Sequence, residues 1–331
     1  MAGGRRFDEF EMIARYFALL TAREPGALGL RDDAATLDVE TGRELVVTSD
    51  CLVAGVHFLA DTSAADIAYR ALAVNLSDLA ATGARARAYI LALALPKNFE
   101  NTEAWIKNFT QSLNQAQEAF SVSLIGGDTV VTPGPLTLTV TAFGSVAAGT
   151  ALRRSGARDG DRVFVSGTFG DAALGLRALQ GHLPSLAPEA RAHLGTRHQR
   201  PTPRLALGQA LVGLASAAAD VSDGLLADLG HICAASGLGA HLRASDVPLS
   251  PAAEAAIASD PELADLPLTG GDDYELVFTL PESAVEVASA AAADCGVAIH
   301  EVGRMTVSSG VEVVDKTGAV IAPQRTGFRH F

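Results

Sequence analysis

At 331 residues, 48% of them hydrophobic and 19% charged, the chain has the apolar content of an ordinary soluble globular protein and is long enough for two domains. Its net charge of −13 argues against nucleic acid or an anionic membrane as partner, and suits either simple solubility or a protein that gathers divalent cations. Cys51, Cys233 and Cys295 are far apart and give no zinc spacing; with no signal-like apolar stretch and no run of membrane-span length, a cytoplasmic protein is expected.

Taken along the chain, Phe7, Phe10, Ile13, Phe17 and Leu20 recur at helical spacing and predict an amphipathic helix over 7–22, ending near Pro25-Gly26. Asp32 and Asp33 then stand side by side before a strand pattern. Neighbours in extended chain point to opposite faces, so at most one of them aims at a given site. Thr41-Gly42 reads as a turn, and Leu45–Asp50 as a β-branched strand ending in Thr48, Ser49 and Asp50. These oxygens mark a site rim or a simple strand cap. His57 stands alone among apolar residues, where a histidine is more often structural than catalytic.

Ser63-Ala-Ala-Asp66 resembles a capping box opening a helix that Gly83 stops. From Arg70 onward this helix is apolar almost all the way round, which predicts burial. Asn75 and Asp78 interrupt the apolar wall on one face. A carboxylate removed from water needs a cation or donors, so Asp78 is either an arginine-paired or exposed acid or part of a site. Tyr89–Leu95 reads as a buried strand, 102–120 as a helix, and a short strand leads into Gly126-Gly127-Asp128, with Asp128 at a tip. The span Pro135–Val146 is a long strand, and small residues at 147–150 mark a boundary between domains 1–148 and 149–331.

Beyond it a basic, turn-rich loop carries Arg153 and Arg154, followed by alternating strands and helices. Asp220-Val-Ser-Asp-Gly224 ends a strand and opens a helix over 225–235, placing Ser222 and Asp223 beside free amides. Gly270-Gly271-Asp272-Asp273 precedes the strand 276–280. No phosphate-binding loop of the G-x-x-x-x-G-K type, dinucleotide fingerprint, hydrolase elbow or kinase signature is present. What remains is Asp33, Asp50, Asp78, Asp128, Asp220 and Asp223 at strand ends, on a buried face or beside glycine. If they converge, magnesium relieves their repulsion and phosphoryl transfer is the suited chemistry, since only Lys97, Lys107 and Lys316 supply lysine charge.

The ordered set Asp-Asp-Ala-Ala35, Thr-Ser-Asp50 with His57, Asn-Leu-Ser-Asp78, Gly-Gly-Asp-Thr129, Arg-Ser-Gly-Ala157, Asp-Val-Ser-Asp-Gly224 and Gly-Gly-Asp-Asp-Tyr-Glu275 resembles the thiamine-monophosphate kinase family. That family lies within the aminoimidazole-ribonucleotide-synthetase-like ATP-binding superfamily. The resemblance implies a two-domain α/β fold with mixed sheets flanked by helices, dimeric through its amino-terminal sheets. It also implies ATP and thiamine monophosphate as substrates. Asp33, Thr48, Ser49, Asp50, Asp78, Asp128, Asp220 and Asp223 are then magnesium ligands, directly or through water. Gly127, Asp128, Arg154 and Ser222 meet ATP, while His57, Asp272 and Phe328 line the thiamine phosphate pocket. Asp50, Asp78, Asp128 and Arg154 carry the catalytic charge. Two positions depart from the family: Arg31 stands where glycine is common, and Asp272 where glutamate is common. Selenophosphate synthetase expects a reactive cysteine near the amino terminus and hydrogenase maturation a terminal one; here the first is Cys51 and the chain ends in Phe331. A non-catalytic nucleotide or metal sensor is the rival from another class.

Overall fold

The computed structural model describes residues 9–322 and 327. The chain forms two compact units: one holds the chain up to Leu79 together with Arg85–Ala147, the other Ala80–Ala84 and the chain from Ala148 onward.

The first unit is built on a four-stranded sheet of β1 (Arg43–Val53), β2 (Arg85–Pro96), β3 (Ser123–Thr132) and β4 (Thr137–Ala147), in the order β1-β4-β2-β3. Its two long helices are α1 (Ala64–Ala81) and α2 (Thr102–Phe120). The register sets Thr48 opposite Ala142 and Asp50 opposite Val140, so these residues share one face with Tyr89 and Leu91. Helices cover that face: the Tyr89 hydroxyl donates to Gln117 Oε1 of α2 at 3.1 Å. On the other face Leu45, Val47 and Val130 are 43%, 52% and 47% exposed. The capping box at the start of α1 is formed, with the Asp66 amide donating to Ser63 Oγ at 3.1 Å and that hydroxyl to Asp66 Oδ2 at 2.7 Å.

Four local expectations are corrected. The run 9–21 is not one amphipathic helix: Glu9–Met12 is α-helical, Ile13–Phe17 is π-helical and Ala18–Thr21 is a 3₁₀ turn. Changing the hydrogen-bond ladder changes the pitch, so Phe17 and Leu20 are buried while Phe10 is 77% exposed. Residues 34–40 form no strand, so side-chain alternation does not separate Asp32 from Asp33. Thr48, Ser49 and Asp50 lie within an 11-residue strand rather than at its end, and Asp128 lies inside β3 rather than at a tip.

The second unit carries a seven-stranded mixed sheet of β5 (Arg162–Ser166), β6 (Ala217–Asp220), β7 (Gly239–Arg243), β8 (Leu276–Leu280), β9 (Ile299–Thr306), β10 (Gly310–Val314) and β11 (Val320–Ile321). Their order is β11-β10-β7-β9-β5-β8-β6. Its longer helices are α3 (Asp171–Leu179), α4 (Pro188–Gln199), α5 (Leu205–Leu211), α6 (Leu225–Ser236), α7 (Pro251–Ser259) and α8 (Val285–Asp294). Val163, Val165, Val277, Leu229 and Ile232 fill a core between sheet and α6. No described helix is long and apolar enough to cross a membrane.

Candidate active site

In the first unit the polar groups ride on regular elements. Asn75 of α1 accepts the Asp50 amide N–H on Oδ1 at 2.9 Å and donates through Nδ2 to the Ala71 carbonyl at 2.9 Å, tying helix to strand. One turn on, Asp78 Oδ2 accepts from Thr48 Oγ1 at 2.5 Å. Thr48, Asp50 and Asp78 are thus gathered on one side of β1. Ser49, one residue out of phase, faces the other side, where its hydroxyl meets Thr141 Oγ1 at 2.8 Å. His57 Nδ1 accepts the Val53 amide at 3.1 Å, and its carbonyl accepts from Arg70 Nε at 3.1 Å.

At the edge of the same sheet, Asp32, Asp33, Gly127, Asp128 and Thr129 border a pocket of about 160 Å³ whose apolar wall includes Phe17 and Leu124. Gly127 is required there: a Cβ on it would stand 2.0 Å from the Leu91 carbonyl oxygen.

In the second unit the candidates sit on loops at strand ends. Asp220 is buried at the end of β6, and Ser222 and Asp223 follow it, half-buried. That loop is bonded to the one before β8: Asp272 N–H donates to the Ser222 carbonyl at 2.8 Å and Tyr274 N–H to the Val221 carbonyl at 2.9 Å. Asp272 holds a left-handed backbone, φ 75°, uncommon without glycine, and its Oδ2 lies 3.6 Å from His198 Nδ1. Arg154 is held in its loop by Ser236 Oγ, which donates to its carbonyl at 3.3 Å, and its charge bears on Asp228.

Beneath these loops lies a layer of buried acids that pattern reading missed. Asp228 of α6 accepts on Oδ2 from the amides of Ser222, Asp223 and Gly224 at 3.1, 3.0 and 3.2 Å; burial raises its pKa to about 6 despite those donors. Asp273 accepts from the amides of Gly170 and Ala172, at 2.7 and 3.1 Å, and burial raises it to about 7. Glu275 receives Ser166 Oγ at 2.7 Å, Arg197 Nη2 at 2.9 Å and the Arg204 fork at 2.6 and 2.5 Å. Gly167 makes room for it, since a Cβ there would lie 2.2 Å from Glu275 Oε1. Burial alone would lower the Arg197 pKa; the carboxylates of Glu275, Asp273 and Asp171 outweigh it and raise it. No local pattern announces these roles: Asp272 and Tyr274 take positive φ, 75° and 50°, so the side-chain alternation of extended chain does not operate there. Phe328 lies outside the described residues.

In the first unit Thr48, Asp50 and Asp78 offer hard oxygen atoms, which suit magnesium. In the second, the carboxylates of Asp223 and Asp228 lie in one group with the His231 imidazole, their ligand atoms within 4.8 Å of one another.

Comparison with known proteins gives the same direction. Residues 31–146 match the AIR synthase related protein N-terminal domain and residues 158–316 its C-terminal domain. The thiamine-monophosphate kinase of Salmonella typhimurium is 44% identical over 326 residues, 98% of each chain. Among solved structures, the thiamine-monophosphate kinase of Stenotrophomonas maltophilia is 43% identical with a TM-score of 0.81, over 90% of this chain and 94% of that one. A protein solved as AaThiL complexed with AMPPCP and TMP is 29% identical with a TM-score of 0.78, over 93% and 98%.

Proposed function

Because the chain belongs to the thiamine-monophosphate kinase family of AIR-synthase-related proteins, we propose that it transfers the γ-phosphoryl group of ATP to the phosphate of thiamine monophosphate, giving thiamine diphosphate and ADP. A phosphate oxygen of the acceptor attacks phosphorus in line as the bond to the ADP oxygen breaks. No protein nucleophile is needed, so positioning and charge placement carry the catalysis. The observation that carries this reading is identity along nearly the whole length of a relative bearing that name.

The residue roles follow as part of the same proposal. Thr48, Asp50 and Asp78 hold magnesium in the first unit, with Asp33 and Asp128 at the neighbouring pocket; Asp220 and Asp223 serve it in the second. Bound there, magnesium neutralises phosphate charge. Gly127, Ser222 and Arg154 meet ATP, Arg154 adding a permanent positive charge where lysine is absent. His57, Asp272 and Phe328 receive thiamine monophosphate. Ser49 is the weakest member of the set, since its hydroxyl already pairs with Thr141 on the opposite face. The open sheet face with Leu45, Val47 and Val130 is the surface on which a second copy docks to form a homodimer. A cytoplasmic location fits such a biosynthetic role.

Purified protein supplied with ATP, magnesium and thiamine monophosphate should form thiamine diphosphate, read by chromatography. Absence of product while another small-molecule acceptor is consumed would overturn the assignment. ATP binding without turnover of any acceptor would favour the sensor instead.

A further inference from the structure

We propose that Asp228 is the positioning residue that holds Ser222 and Asp223 in their working geometry, through the loop amides that its Oδ2 accepts. This inference builds on the assignment of Ser222 to ATP and of Asp223 to magnesium.

Asp228 lies in the first turn of α6 and is 0% exposed. Its Oδ2 gathers three successive amides, those of Ser222, Asp223 and Gly224. Among the described residues Oδ1 is buried with no hydrogen-bond partner. Three amides reach one oxygen because the chain turns sharply at Gly224, φ 125°, where a Cβ would lie 2.9 Å from the Thr269 carbonyl oxygen. An ordinary N-cap needs only a hydroxyl or carboxylate at the helix boundary, half in solvent. Here glycine occupies that boundary, and a buried acid one turn later does the work.

Burying a carboxylate costs several kcal/mol in order of magnitude unless donors meet it. The donors that do so belong to the loop, so loop shape and acid depend on each other. The loop's other side is committed as well: its Val221 and Ser222 carbonyls accept from Tyr274 and Asp272. With amides turned to Asp228 and carbonyls to the 272–274 loop, the side chains of Ser222 and Asp223 are what the loop can offer a ligand. Hydrogen bonds to an ionised acceptor are about twice as strong as neutral ones, which explains an aspartate in place of serine.

The test measures binding of a non-hydrolysable ATP analogue with magnesium by calorimetry, alongside steady-state kinetics. Asp228→Ala should weaken analogue binding at least tenfold and raise KM for ATP in proportion, and Asp228→Asn, which keeps one acceptor oxygen, should lose less than Asp228→Ala. Leu229→Ala, a core change on the same helix, should lower Tm and leave both within twofold. If Asp228→Ala does not fold, amide exchange at 222–224 in Asp228→Asn replaces it, with at least a tenfold acceleration expected there and none in the rest of α6. Analogue binding within twofold of the parent in folded Asp228→Ala, or unchanged exchange in Asp228→Asn, overturns the proposal. Ser222→Ala and Asp223→Asn run in parallel: if they weaken binding while Asp228→Ala does not, the positioning role fails and the site stands. If neither of them weakens binding, the site assignment itself is wrong.

Discussion

The two units solve one problem by different means. In the first, Thr48, Asp50 and Asp78 ride on a strand and a helix, and the backbone ladder places them. A single buried amide, Asn75, sets helix against strand. In the second, Ser222, Asp223 and Asp272 ride on loops, which have no ladder to place them. There the work falls to buried charge: Asp228, Asp273 and Glu275 hold backbone amides and guanidinium groups, with two of these acids raised to about 6 and about 7 by burial. A site group on a regular element inherits its position; one on a loop needs an anchor, and a strong anchor carries a desolvation cost.

Glu275→Gln should break this contrast most severely. It removes the buried carboxylate that Arg197 and Arg204 share, leaving Arg197 only the longer pairing with Asp171 at 3.5 Å, and unfolding in urea should show a loss of about 3 to 5 kcal/mol. A smaller loss would mean that the anchor is worth less than the packing around it. Next comes Asp78→Asn in the other unit, which should keep the fold, since Thr48 retains an acceptor, yet reduce turnover at least tenfold, about 1.4 kcal/mol of barrier. Near-normal rates at low magnesium would show that Asp78 is no ligand.

A third expectation is a slope rather than a level. Asp273 is raised from 3.8 to about 7, so between those values the folded protein keeps a proton that the unfolded chain has released. Its stabilising contribution is complete below about pH 4 and is lost as pH rises through about 7. Asp273→Asn should flatten that part of the stability-against-pH curve. The smallest effect belongs to Ser63→Ala, which removes the cap of α1 and should cost about 1 kcal/mol by thermal unfolding. Activity should stay within twofold, because Asp78 is placed by the β1 contact far along the helix. A large activity loss would show that the helix end, not the strand register, positions the first unit's acids.

Much was legible before any coordinates. The capping box at Ser63–Asp66, the buried character of α1, its stop near Gly83 and the strands around 89–95, 135–146, 162–165 and 276–280 all follow from local pattern, and all are present, the second of these strands running from Thr137 to Ala147. The motif order pointed to the family to which the chain belongs. The misses lie where local pattern and tertiary pairing part. Residues 34–40 take no extended strand, so alternation does not sort Asp32 from Asp33. Asp128, expected at a tip after its paired glycines, lies inside β3 because pairing with β2 carries the strand straight through.

The sequence by itself determined the elements, the family and the inventory of acids, because helix and strand periods, caps and motif residues depend on neighbours a few positions away. Which acid faces a ligand and which holds the backbone was decided only in three dimensions. Arg204 and Arg197 meet Glu275 across 71 and 78 residues of chain, and Thr48 meets Asp78 across 30. No local period encodes such pairings. They arise when packing removes water and every buried charge must find its partner.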